Sequence, residues 1–387
     1  REFHAQNISE LKDTPFLQKF TIHKASILKT LLIIHRFKHL KNLYSPTQMT
    51  RASLSNRHLT DKDEMSVKVG VIGCGRWGAT HLRTLADLRS SGKISEIHAC
   101  DIIPDKQMEI GHLVDTFNSS WQEMINQNQL DIVAVVTPAD NHHEISMELL
   151  DYCQNLFIEK PIGISQPQAS DIISKAQEVG GTVLVGHILR FHDLINKANS
   201  LIAEGLIGEL QRIDFTRITT RPPPIKSNVF DALAIHGIDT TCFCFGELEP
   251  TRLSVDNLRL TSDLFPIGAR ISLEFPGIKE ASISVGWEGE KEVREILFSG
   301  SKGKIILETK NNDYLHLILP DSEQKISIEN HTSPLTKEWL YIIEESKKNQ
   351  SITTYPQPGS IIRCMKWVEK AKQEIEKTIS SKNQVDE

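Results

Sequence analysis

The chain has 387 residues, of which 24% are charged, 39% hydrophobic and 6% aromatic. That composition excludes collagen-like, coiled-coil and wholly disordered chains, and the length exceeds what one core comfortably holds, so two domains are expected. A net charge of −6, from 44 Lys/Arg against 50 Asp/Glu, argues against a chain-wide nucleic-acid or anionic-membrane surface.

The charge is unevenly spread. Residues 1–64 hold 11 Lys/Arg and 6 Asp/Glu, a net +5, which leaves −11 on the 323 residues after them. The apolar run Leu31 to Ile34 in this basic leader is too short to span a membrane. Such a leader is read as a targeting segment, a membrane-surface helix, or a disordered or non-native extension; the last is the expectation, with Met65 or Met49 as a start. The six cysteines (Cys74, Cys100, Cys153, Cys242, Cys244, Cys364) show no Cys-x-x-Cys pair or zinc-type spacing. They read as core thiols of a cytoplasmic protein without a metal.

From Val67 short β-branched runs alternate with helical segments. Strands are expected at 67–72, 94–101, 131–137, 156–159 and 182–187, separated by helices near 77–88, 141–152 and 166–179. Parallel strands need crossovers of that length, so residues 65–187 are expected to form a Rossmann, doubly wound α/β domain. After a helix at 192–204 the pattern turns to alternating strands at 210–219, 252–260, 268–275, 281–287, 294–298, 304–308, 314–319 and 324–328. Helices at 335–347 and 359–377 follow. Residues 188–378 therefore read as an α+β domain with an open, mostly antiparallel sheet, and 379–387 as a tail.

Gly73-Cys74-Gly75-Arg76-Trp77-Gly78 follows the first strand and opens a helix. In that position Gly-x-Gly-x-x-Gly marks a pyrophosphate site. The first glycine makes the turn, the second lets backbone approach the phosphates, and the third packs helix on strand. Asp101 ends the second strand, 28 residues past Gly73, and suits the adenosine ribose; its charge favours NAD over NADP. It also has the composition of a plain turn before Pro104. Thr137-Pro138, with His142, follows the third of these strands at the ligand crevice, although His142 equally reads as a surface helix-start residue. Glu159-Lys160-Pro161 ends the next strand there, and a desolvated lysine between cofactor and substrate can exchange a proton with a hydroxyl.

These motifs, with Arg190-Phe191, Gly205-x-x-Gly208-Glu209 and Ile235-His236-Gly-Ile-Asp239, together resemble the Gfo/Idh/MocA oxidoreductases over residues 65–378. The resemblance implies NAD(P)-dependent oxidation of a secondary hydroxyl on a sugar, cyclitol or sugar nucleotide. It also implies a homo-oligomer packed through the C-terminal sheet. Lys160, His236 and Asp239 inherit the catalytic places, and Gly73, Gly75, Arg76, Trp77, Gly78, Asp101, Thr137, Pro138, His142, Glu159 and Lys160 the cofactor contacts. One departure stands out: the position four before His236, an Asp in the family pattern, is Ala232, and Asp231 lies one residue earlier.

Arg217 to Lys226 and Ser333 to Trp339 look like the short sugar-nucleotide dehydrogenases, of the UDP-N-acetylglucosamine 3-dehydrogenase type. Arg190, Arg217, Arg221 and Lys226 would then supply cations for a substrate diphosphate, with His236 also on the substrate. Exposed cations at a strand edge have the same composition. The expected activity is oxidation of the C3 hydroxyl of UDP-N-acetylglucosamine. A free-sugar or inositol dehydrogenase, and a catalytically weak NAD-binding regulatory protein, are the alternatives. Neither a nucleic-acid partner nor a membrane span is expected.

Overall fold

The structure is a computed structural model that describes residues 67–224, 228–310, 313–329, 331–348 and 354–383. The basic leader at 1–64 and Lys226 lie outside the described residues. In chain order the first half runs β1 (Val67–Ile72), α1 (Arg76–Ser90), β2 (Ile94–Cys100), α2 (Lys106–Ile110), β3 (Thr116–Asn118), α3 (Trp121–Gln127), β4 (Ile132–Val135), α4 (His142–Leu149), β5 (Asn155–Ile158), α5 (Gln166–Val179) and β6 (Thr182–Val185). The second half begins with α6 (Asp193–Ala203), β7 (Leu210–Ile218), a π-helical turn at Phe230–Ala234, and α7 (Ile235–Cys244). It continues with β8 (Arg252–Leu260), β9 (Pro266–Glu274), β10 (Glu280–Gly286), β11 (Val293–Gly300), β12 (Lys304–Glu308), β13 (Tyr314–Leu319) and β14 (Ser322–Ser327), then α8 (Pro334–Ser346), β15 (Thr354–Tyr355) and α9 (Pro358–Asn383).

The first sheet has the order β15-β6-β5-β4-β1-β2-β3, and its pairings are parallel. Its central strands carry near-continuous apolar runs because helices cover both faces. All four residues of β4 are buried. On one face α1 and α8 bury Leu82, Leu85, Trp339 and Ile342 against the sheet, and on the other α4, α5 and α9 bury Leu149, Ile172, Ile361 and Met365. Strand order reverses between β1 and β4, which puts the ligand crevice at their C-terminal ends.

The second sheet has the order β14-β13-β12-β11-β7-β10-β9-β8; only β7 and β10 pair in parallel and the rest are antiparallel. Alternation sets its faces. Ile213, Phe215, Ile283, Ile296 and Phe298 point at α6, α7 and α9 and are buried, while Asp214 and Glu295 point away. This is the α/β architecture expected, a Rossmann sheet followed by an open, mostly antiparallel one.

Three short elements, α2, β3 and α3, and the two-residue β15 have too few residues to show a period, and the sequence pattern passes over them. The larger difference is where the C-terminal segment goes. Helix α8 packs on the first sheet through Leu335, Trp339, Ile342 and Ile343, and β15 extends that sheet beside β6. Both elements follow the second sheet in the chain yet complete the first.

Candidate active site

The glycine loop is built as its spacing requires. Gly73 has φ +95°, and a Cβ on it would lie 2.7 Å from the Val136 carbonyl oxygen at the end of β4. A Cβ on Gly78 would lie 1.9 Å from the Gly73 carbonyl oxygen, so helix and loop touch there through backbone. Gly75 differs: nothing lies within 4 Å of its Cβ position, and it caps α1 without a side-chain hydrogen bond. The first amides of α1 thus face open space with a helix dipole behind them, an arrangement that accepts a phosphate. Asp101 adjoins the loop, its carboxylate accepting from the backbone N–H of Cys74 at 2.6 Å and of Ile103 at 2.9 Å. Arg76 is exposed and Trp77 partly so. These residues fit a dinucleotide: Gly73, Gly75 and Gly78 would shape its cradle, the α1 amides would hold its phosphates, and Asp101 would accept from its ribose.

His142, expected among the cofactor contacts, is 1% exposed. Its Nδ1 lies 2.8 Å from the Pro161 carbonyl oxygen and its Nε2 2.8 Å from that of Thr137, so it ties the loop after β4 to the loop after β5. Both bonds at full strength need the imidazolium. Burial pushes the ring toward the neutral form, in which one nitrogen alone donates.

Lys160 leaves the end of β5 toward the second sheet, and its amine donates to the backbone carbonyls of Ala232 at 3.0 Å and Asp231 at 3.3 Å. Those carbonyls belong to the π-helical turn. One extra residue per turn loosens the ladder and leaves acceptors unpaired, which is why such turns recur at functional sites. Burial lowers the Lys160 pKa to about 8, helped by Arg217 and opposed by Glu159. An amine poised there can both take and return a proton near neutrality.

His236 opens α7 beside it. Gly237, the next residue, lets α7 lie directly on the sheet, since a Cβ there would meet Ile283 at 2.5 Å and Phe215 at 2.8 Å. His236 is buried, and burial together with Arg217 and Lys160 holds it well below its ordinary value, hence neutral. Arg217 lies one alternation beyond Phe215 on the same face of β7, directly across from Arg294 on β11. Arg294 is paired with Glu292 at 2.6 Å, whereas no carboxylate among the described residues lies within ion-pair distance of Arg217. Burial and the facing Arg294 push Arg217 down to about 10. Arg221 is exposed, its Nε 3.3 Å from the Thr219 hydroxyl.

Two expectations meet different surroundings. Arg190 is 4% exposed, and its guanidinium is divided between Asp239 at 2.7 Å and Glu247 at 2.6 Å, so its charge is spent inside the protein. Asp239 is 3% exposed and holds Arg190 and His187, the latter at 3.3 Å. Burial pushes its carboxyl up, but Arg190 and His187 outweigh it and hold the group well below the usual carboxylate range. His187, Asp239 and Cys364 converge within 4.8 Å, though Asp239 is already occupied by Arg190. The Asp231 carboxylate is engaged by other partners than His236: it accepts from Asn228 at 2.6 Å and pairs with Lys372 of α9 at 3.1 Å.

Several residues escaped the sequence reading. Arg294 became visible only through the register of β7 with β11. His81 lies four residues after Trp77, on the same helix face. That spacing is the one signal in the sequence that links His81 to the glycine loop.

Residues 67–187 match the family model described as the oxidoreductase family, NAD-binding Rossmann fold, of the Gfo/Idh/MocA proteins. The chain is 26% identical over 253 residues to the 2,7-anhydro-N-acetylneuraminate hydratase of Escherichia coli (strain K12), covering 62% of the present chain and 67% of the relative. It is 26% identical over 178 residues to the inositol 2-dehydrogenase/D-chiro-inositol 3-dehydrogenase of Lactiplantibacillus plantarum, covering 44% and 50%. The chain thus spans about two thirds and half of the length of these relatives.

Among solved structures, UDP-N-acetylglucosamine 3-dehydrogenase GnnA from Acidithiobacillus ferrooxidans superposes with a TM-score of 0.69 at 17% identity, covering 80% of this chain and 99% of that one. A differently named enzyme reaches the same score, so the likeness shows the shared fold and does not single out one type. No helix among the described residues is long and apolar enough to cross a membrane.

Proposed function

We propose that the protein oxidises a secondary hydroxyl of a sugar nucleotide, with the C3 hydroxyl of UDP-N-acetylglucosamine as the favoured substrate, and that Lys160 moves the proton. The observation that carries this is the partly buried amine of Lys160, lowered to about 8, next to a neutral His236 and an Arg217 that has no ion-pair partner among the described residues. Held by the glycine loop and Asp101, NAD would supply the acceptor for the hydride of the sugar carbon. Lys160 takes the hydroxyl proton and holds its position through the Asp231 and Ala232 carbonyls. His236, neutral, orients the hydroxyl by hydrogen bonding.

Arg217 and Arg221 are the cations assigned to the substrate diphosphate; Arg190, saturated by two carboxylates, is withdrawn from that role and Asp239 from direct chemistry. NAD is favoured over NADP because the carboxylate of Asp101 repels a 2′-phosphate. In addition, the first cation after it, Lys106, is paired with Glu109 at 2.8 Å. The half-exposed Leu297 and Ile306, on the outer face of the second sheet, support a homo-oligomer through that face. Six free cysteines fit a reducing cytoplasmic setting.

A free-polyol dehydrogenase is the second reading, favoured by the likeness to an inositol 2-dehydrogenase. Measuring NAD reduction with UDP-N-acetylglucosamine, glucose and inositol side by side separates the two. Turnover confined to the free polyols overturns the nucleotide substrate. Tight NAD binding without turnover on any of them overturns the enzyme and favours a cofactor-binding regulator.

A further inference from the structure

A line of hydrogen bonds reaches the Glu-Lys-Pro loop from the far side of the first sheet. The Trp339 indole N–H, on α8, donates to Nδ1 of His81 at 3.2 Å. An indole nitrogen only donates, so Nδ1 is an acceptor and the His81 proton sits on Nε2. Nε2 lies 3.0 Å from Oε1 of Glu159, and the Trp77 indole donates to the same oxygen at 2.7 Å. Oε2 of Glu159 takes the backbone N–H of Lys160 at 3.1 Å. Trp339, His81 and Glu159 are buried. Burial pushes the Glu159 carboxyl up, yet His81 and Trp77 outweigh it and keep it ionised.

We propose that His81 is a positioning residue for proton transfer: Trp339 sets its tautomer, and its Nε2–H fixes the Glu159 carboxylate beside Lys160. The cleft-forming strand β5 is thereby tied to α8, an element that follows the second sheet in the chain. The proposal rests on Lys160 as the group that moves the proton.

The groups facing Glu159 are His81 and Trp77 of α1, His142 of α4, Lys160 at its own strand end, and Glu338 of α8. Glu338 is wholly buried, neither carboxyl oxygen has a hydrogen-bond partner among the described residues, and burial together with Glu159 raises its pKa well above the ordinary value, so it stays neutral. The ionised Glu159 is the opposite charge that acts most strongly on Lys160, ahead of Asp231. Freed from His81, this carboxylate loses its place and gains a proton more readily, and the support it gives the ammonium form of Lys160 weakens.

His81→Gln and Trp339→Phe test this, the second keeping the aromatic packing around His81. In the wild type, nitrogen-15 spectra of labelled histidine are expected to show one ring with Nε2 protonated and Nδ1 accepting; Trp339→Phe is expected to mix the tautomers. In both variants the rising limb of the kcat–pH profile is expected to move down by about one unit, with KM for NAD changed less than about twofold. A purely packing role would lower the melting temperature and leave the limb and the tautomer in place, which overturns the proposal. Lys160→Ala serves as the reference: if that variant retains full turnover, it is the role of Lys160 that fails. The tautomer in the wild type is read without substrate, and its absence overturns the positioning role by itself.

Discussion

The carboxylate of Asp231 is paired with the ammonium of Lys372 at 3.1 Å, while its own backbone carbonyl, together with that of Ala232, receives Lys160. Side chain and main chain of one residue thus serve opposite sides of the π-helical turn. The family pattern has an acid four residues before His236, and Asp231 does not replace it by geometry: a carboxylate held by α9 is not available to polarise the imidazole.

Asp231→Asn is therefore expected to change kcat less than about threefold and to cost no more than about 1 kcal/mol of stability, as for partly exposed ion pairs. Steady-state kinetics and a urea melt check both. A loss of a hundredfold or more would show the carboxylate to act in the reaction.

Lys160→Ala is expected to lower kcat by about 10² to 10⁴, the usual share of a positioned acid–base group, and to leave NAD affinity nearly intact. In the wild type, oxidation should rise with pH through about 8 as the amine loses its proton, because only the neutral amine accepts another. A profile flat from pH 6 to 10 would remove Lys160 from the proton transfer.

Asp239 and Arg190 form a buried pair, and deleting one partner leaves the other charge stranded. Asp239→Asn is expected to destabilise the fold by about 3–5 kcal/mol, the range for broken buried pairs. Because the native carboxyl is held well below its unfolded value, this stability is fully present above the unfolded pKa and is lost as pH falls through the native one. Melting temperatures of wild type and variant should therefore converge in acid. Parallel curves as the pH is taken well below about 4, the ordinary carboxylate value, would contradict the assignment.

Gly75 and Gly78 should part company under the same substitution. Gly78→Ala is expected to misfold or unfold, since its Cβ would overlap the Gly73 carbonyl, whereas Gly75→Ala has open space and should fold normally. The methyl of the latter occupies the approach to the α1 amides, so NAD affinity is expected to fall about tenfold or more, for the reason that glycine is required where backbone meets a pyrophosphate. Calorimetric titration with NAD and circular dichroism decide it.

How far the sequence reaches is visible in particular residues. Local information set what is local: the alternation of apolar residues marked β7 and the Gly73-x-Gly75-x-x-Gly78 spacing marked the phosphate loop. The end of a strand located Asp101 and Lys160. Each depends on neighbours a few residues away, where backbone geometry alone dictates period and turn. Tertiary structure decided the rest. Arg217 faces Arg294 only because β7 pairs with β11 in one register, and Arg190 is spent because Asp239 and Glu247 fold onto it. Trp339 reaches His81, 258 positions away in the chain, only because α8 returns to the first sheet. Contacts of that kind are chosen by which apolar faces find burial together, a property of the whole packed chain and of no single segment.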